Sequence, residues 1–268
     1  MENKIVILLK GFIIGGTMLV PGVSGGSMAM ILGIYGNLIS SVSNFFKDIK
    51  KNFSFLMLFS AGAFVGMMLF SKSILTLLTN YRIPVLYFFI GAVIGGIPVI
   101  AKACGVKRLD LSSLFYVLIG ITMVMSLALI PEGLFNPSTI NSVSGIAILF
   151  AAGFFAAIAL VLPGISVSFV LLVLGIYEEI INAIDQFNIP YLLVVAVGLT
   201  IGIMLTTRLL EYAMNHHTRP TYLMILGFVL GSIVPIFPGP PTGVNIIICP
   251  LTLLAGAACI HLLSFLDR

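Results

Sequence analysis

The chain has 268 residues and a formal net charge of +4; 60% of its residues are hydrophobic and only 8% are charged. With a mean hydropathy of +1.21, this excludes a water-soluble globule, of which roughly a quarter would be charged, and predicts an all-α, polytopic membrane protein. The positive balance then describes a basic membrane face and not nucleic-acid binding.

The first apolar stretch, residues 5–46, is about twice the length of the roughly 20 residues that cross the hydrocarbon and is cut near its middle by Pro21-Gly22. No small-residue cleavage pattern precedes Pro21, so this run is expected to be retained. Single spans are predicted at 53–72, 84–101 and 112–130, followed by a second long stretch, 143–185, cut by Pro163-Gly164. Three more spans follow at 191–207, 220–237 and 246–265. A break at membrane depth survives only where protein buries it or where it lines a cavity. Each long stretch is therefore predicted to be a re-entrant hairpin of two half-helices.

The hairpins are copies. Pro21 to Tyr35 (PGVSGGSMAMILGIY) returns 142 positions later as Pro163 to Tyr177 (PGISVSFVLLVLGIY), with seven identities. The copying extends further at an offset of 136, where Gly62, Gly66, Pro84, Gly91 and Gly95 match Gly198, Gly202, Pro220, Gly227 and Gly231. The two G-x-x-x-G pairs predict close helix packing, because only small residues let backbones approach this way in lipid. One membrane domain results, with repeat 1 over residues 1–138 and repeat 2 over 139–268.

A hairpin plus three spans is an odd number of crossings, so repeat 2 is predicted to enter from the opposite face. Charge gives the same answer through the bias of Lys and Arg toward the cytoplasm. One face collects Lys4, Lys47, Lys50, Lys51, Lys102, Lys107, Arg108, Arg219 and Arg268, with Arg208 at its edge. The other holds Arg82, with Lys72 near it, and its segments 131–145 and 236–246 contain no Lys or Arg. Both termini are expected in the cytoplasm.

Each Pro-Gly-x-Ser is predicted to open a half-helix with Ser24 or Ser166 at its cap. Such N-termini present unpaired N–H groups to an anion. Gly22, Gly25, Gly26 and Gly164 let a ligand approach the backbone, and Ser24, Ser27, Ser166 and Ser168 add hydroxyl donors. Two N-termini converging from opposite faces would suit a phosphate, so Val at Gly22, Gly25 or Gly164 is expected to impair binding more than stability. Lys72 and Arg208, matched by the repeat, either bind the anion or snorkel from helix ends. Lys10 lies within the first half-helix and is a candidate cavity residue. Glu178, Glu179 and Glu211 are read as solvated caps, ion-pair partners or proton acceptors. Tyr35 and Tyr177 are read as interfacial anchors or ligand contacts. His216, His217 and His261 lack metal-ligand spacing, and three cysteines make no disulfide framework, so neither metal nor cofactor is expected.

The Pro21-Gly22-Val23-Ser24-Gly25-Gly26-Ser27 run ending in Leu32-Gly33-Ile34-Tyr35, and its echo Leu162-Pro163-Gly164-Ile165-Ser166 ending in Gly175-Ile176-Tyr177-Glu178, resemble a bacterial integral-membrane family. That family was once catalogued only as a domain of unknown function and is now associated with polyprenyl-phosphate translocation (PopT). The resemblance implies a plasma-membrane protein that recycles undecaprenyl phosphate, the lipid carrier of cell-wall synthesis, from the outer to the inner leaflet. Its partners would be that lipid and the surrounding membrane lipids; no oligomeric state is implied. Val167 and Ser168 replace Gly25 and Gly26 in the second copy, so the tips are not expected to contribute equally. Two rival classes are an undecaprenyl-pyrophosphate phosphatase and a small-anion or ion channel. The phosphatase pattern has an arginine where Gly25 stands, and residues 5–20 contain no Asp or Glu for acid–base work.

Overall fold

The computed structural model describes residues 3–20, 23–103, 110–131 and 143–263, and these contain helices but no strand. The first hairpin consists of α1 (Lys4–Thr17), α2 (Gly25–Ile31) and α3 (Tyr35–Ser43), followed by the spans α4 (Ile49–Asn80), α5 (Arg82–Ala103) and α6 (Leu111–Ala128). The second consists of α7 (Val143–Val161), α8 (Val167–Val173) and α9 (Tyr177–Asp185). After it come α10 (Ile189–His216), α11 (Thr218–Gly231), the short α12 (Ile233–Ile236) and α13 (Asn245–Leu263). Helices occupy all six predicted spans; five are long and apolar enough to cross a membrane, α11 and α12 together forming one of them, and α6 is shorter.

Local chemistry sets several of the starts. Asp48 caps α4 by accepting from the Lys51 N–H at 3.2 Å, and Asp110 caps α6 through the Ser113 N–H at 3.1 Å. Asn188 starts α10, accepting from the Tyr191 N–H at 3.4 Å just before Pro190 fills a position whose N–H would be unpaired in any case.

Four parallel helix pairs carry the packing, each welded by glycine. A Cβ on Gly15 would meet the Ala63 carbonyl and one on Gly66 the Phe12 carbonyl, which fixes α1 alongside α4 in the same direction. Gly153 against Val195, and Gly198 against Phe150, do the same for α7 and α10. The other two pairs cross between the repeats: α5 with α13 through Gly91 and Gly256, and α6 with α11 through Gly120 and Gly227. The smallness of the matched glycines is thus consumed by helix contact, as predicted from their spacing.

These directions settle the topology. Because α1 and α4 run parallel, the α1–α3 hairpin starts and finishes on one face, and α2 and α3 turn by 116° within it. The α8–α9 turn is 108°. The α4 start lies beside the last turns of α10, where the Asn44 side-chain amide donates to Glu211 at 2.6 Å and Asn52 donates to the Asn44 carbonyl at 2.8 Å. Parallel pairs joined head to tail in this way make the fold an inverted repeat with re-entrant hairpins. In the membrane-length windows 44% of α5 and 56% of the α11 span are buried, against 11% of α4 and 17% of α10 and α13. The first two therefore form the protein's centre, and the others present Phe64, Leu69, Leu193, Leu209 and Leu251 outward, where lipid replaces protein.

Candidate functional site

The tips of the two hairpins touch. A Cβ on Gly26 would meet Pro163 Cα at 3.1 Å, so the first tip rests against the Pro-Gly turn of the second. Gly164 adopts φ +86, a left-handed conformation open to glycine and strained for other residues. Its missing Cβ also admits the Phe228 carbonyl of α11. The chain then straightens into Ser166, whose Oγ accepts from the Phe169 N–H at 3.5 Å and caps α8 weakly.

In front of this second tip lies a cavity of about 560 Å³, within the size range of small-molecule sites. The second hairpin supplies Gly164, Ser166, Ser168, Phe169 and Tyr177, and the first supplies Leu19, Val20 and Val23. The remaining wall comes from Leu78 at the end of α4, Arg82 and Leu86 on α5, Leu127 at the end of α6, and residues 235–238 after the α11 span. Those chain ends all lie on the face opposite Lys4 and Lys51, so the cavity extends from the hairpin tips toward that face. Arg82 is the one charged residue among the described residues that line it. A guanidinium offers five N–H donors in a fixed fork that matches phosphate, and it stays protonated at any relevant pH. The site can bind an anion with an apolar tail. Among the described residues its walls carry no carboxylate or imidazole.

Several predicted residues fall elsewhere. Pro21 and Gly22 lie outside the described residues. Ser24 stands at the N-cap of α2, but its side chain makes no capping bond. A Cβ on Gly25 would meet Met18 Sδ at 2.8 Å. Gly26 and Gly164 are thus small because of protein neighbours, and Gly25 sits against the flexible Met18 side chain, so Val at Gly164 would cost stability in addition to any effect on binding. The Ser27 hydroxyl is buried with no partner among the described residues, and Lys10 is buried in α1.

Lys72 is exposed on α4 and lines none of the three cavities described. Arg208 lines a separate pocket of about 440 Å³ with Lys47, Asn44 and Glu211, on the basic face. The two cations do not converge, because inverted symmetry carries a residue away from the midplane to its partner's opposite side. Glu179 accepts from the Tyr191 hydroxyl at 3.2 Å, Glu178 is exposed, and neither lines the central cavity. Tyr35 is buried and donates to the Val161 carbonyl at 2.7 Å, whereas Tyr177 faces the cavity. On the basic face Arg219 pairs with Asp110 at 2.6 Å and with the Ser113 hydroxyl at 2.9 Å. The Asp110 carboxyl is held well below the usual range by hydrogen bonds from the Ser113 and Ser112 hydroxyls.

Arg82 was the functional candidate that sequence reasoning passed over. Its signal was visible: a lone arginine on the face otherwise short of cations, two residues before the repeated Pro84.

Inverted repeats, broken helices whose tips meet and a cavity beside the break are features shared by many secondary transporters. The undecaprenyl phosphate translocase-like family matches residues 14–246, and the chain belongs to it. It is similar to the polyprenyl-phosphate transporter of Staphylococcus aureus, at 35% identity over 91% of this chain and 89% of that protein. It is also similar to the polyprenyl-phosphate transporter of Vibrio cholerae, at 28% identity over 90% of this chain and 80% of that one. No solved structure matches the chain.

Proposed function

We propose that this protein carries a polyprenyl phosphate, undecaprenyl phosphate in a bacterial plasma membrane, from the outer to the inner leaflet. The observation that carries the proposal is Arg82, the one cation among the described residues that line the tip cavity, on walls that also carry serine hydroxyls and apolar side chains. A charge moved unpaired to the bilayer centre costs several kcal/mol or more; Arg82, exposed on the cavity wall at the start of α5, supplies a counter-charge on the way to the break, while the prenyl tail stays in lipid. The Lys and Arg bias supports a cytoplasmic basic face; in that orientation the cavity faces the outer leaflet, where the substrate of such a route begins. The names of the relatives support the lipid, and among the described residues the cavity walls supply none of the acid–base groups that hydrolysis needs.

The test is reconstitution of the purified protein in liposomes with a prenyl phosphate. Lipid should move between leaflets without release of inorganic phosphate from the pyrophosphate form, and Arg82→Gln should stop it. Steady phosphate release would support the phosphatase, and ion flux without lipid movement would support the channel.

A further inference from the structure

One repeated device stands in two different states in this molecule. Tyr35 is 2% exposed and its hydroxyl donates to the Val161 carbonyl at 2.7 Å. Val161 is the last residue of α7, so its carbonyl is among the helix-terminal acceptors that find no partner in their own helix. The offset of 142 that maps Tyr35 onto Tyr177 also maps Leu19 onto Val161. Tyr177 and Leu19 both line the cavity, but among the described residues the Tyr177 hydroxyl has no hydrogen-bond partner and no donor reaches the Leu19 carbonyl.

The packing around the two tyrosines differs in the same sense. The α3 helix lies along α10, while its counterpart α9 has no comparable packing on α4. The α2 half-helix packs on α5 and buries Ser27, Met28, Ala29, Met30 and Ile31, whereas α8 buries only Val173 and has no comparable seat on α11. In a carrier built from inverted repeats held asymmetrically, exchange of the repeats' roles gives the second conformation that transport needs.

We infer that Tyr35 and Tyr177 are the two halves of an exchanging latch. In the opposite conformation Tyr177 donates to the Leu19 carbonyl, closing the present cavity, while Tyr35 releases Val161 and opens the symmetry-related space beside Ser24. Each passage breaks one phenol–carbonyl bond and makes another, so the states stay near balance. The inference rests on the transport reading, since a carrier needs both states.

The experiment reads conformation without lipid transport. Single cysteines S168C, in the present cavity, and S24C, buried here, are labelled with an impermeant maleimide in sealed vesicles of known orientation, the native cysteines being replaced by alanine. Loss of one latch bond should shift the ratio of the two states roughly 2- to 10-fold. Tyr35→Phe should lower S168C labelling from the Arg82 face and raise S24C labelling from the other, and Tyr177→Phe should do the reverse. A second variant, L19C/Y177C, should cross-link on oxidation and thereby protect the cavity from a bulky lipid probe. Unchanged labelling in Tyr35→Phe, both phenylalanine variants shifting the same way, or failure of L19C/Y177C to cross-link in folded protein would overturn the latch. Prenyl phosphate that stays put despite the labelling shifts would sink the transport reading and leave the latch standing; movement without the shifts would do the opposite.

Discussion

The two hairpin tips share Pro-Gly-x-Ser and Leu-Gly-Ile-Tyr, yet one is a buried plug and the other a cavity wall. The first tip has two glycines after its serine; they let α2 press against Met18 on one side and Pro163 on the other. The second has Val167 and Ser168 there, and Ser168 faces the cavity exposed. The lesson is that a repeated break does not by itself make a repeated site. The same backbone device serves packing where its neighbours close over it and binding where they stand off.

The largest effect expected from this comparison concerns glycine. Gly164→Ala places a Cβ at positive φ and against the Phe228 carbonyl, each costing roughly 1–3 kcal/mol, so melting in detergent should show a severe loss of stability. Gly25→Ala meets only the flexible Met18 side chain and should cost about 1 kcal/mol or less. Equal losses at the two positions would show that the tips are packed alike.

Cations come next. Arg82→Gln removes the charge from the cavity and should weaken prenyl-phosphate binding roughly 10- to 100-fold, in line with a lost hydrogen-bonded ion contact. Arg208→Gln, in the basic-face pocket, should slow transport by no more than a few-fold. Lys72→Gln should leave it unchanged. Binding titrations and liposome transport on the three variants give the ranking, and a reversed order would return the phosphate to the matched pair.

The spans, the hairpins and the inverted order were legible because they depend on local quantities: the length of an apolar run, a proline that stops a helix, and the parity of crossings. The site was legible only in part. That Pro163-Gly164-x-Ser166 marks it follows from the motif, but which copy opens into a cavity is decided by α2 seating on α5 and α8 failing to seat on α11; the exchange of Gly25-Gly26 for Val167-Ser168 signals that the tips are unequal but not which of them opens. Lys72 and Arg208 illustrate the opposite hazard. Sequence symmetry drew them together, while inversion through the membrane keeps apart any matched pair that lies off the midplane; Lys72 is eight residues, about 12 Å of helix, from the end of α4.

Two serines test the tips more finely. Ser27→Ala removes a buried hydroxyl with no partner among the described residues, and so should raise stability by roughly 1 kcal/mol. Ser166→Ala breaks a long cap of 3.5 Å and should lower stability by about 0.5 kcal/mol. If Ser27→Ala instead destabilises the protein, the first tip is less tightly closed than its burial indicates.

The smallest effect is expected from acid, and it separates the basic-face clasp from the cavity. Asp110 is a carboxylate whose folded pKa lies below its usual value, through the Ser113 and Ser112 hydroxyls, and it holds Arg219 at 2.6 Å. A depressed pKa contributes stability that is fully present above the unfolded carboxylate value of about 4 and is lost only as pH falls through the lower, folded value. Acidification from about pH 7.5 to about pH 5 therefore leaves Asp110 charged and the clasp between α6 and α11 made. With the clasp intact, S168C labelling of the lipid-free protein should be flat across that window. Monobasic and dibasic prenyl phosphate do interconvert there, near a second phosphate pKa of about 6, so binding should weaken toward acid while labelling of the empty protein does not change. Labelling that follows pH in lipid-free vesicles would point to a titrating group in the protein that controls the exchange between the two faces.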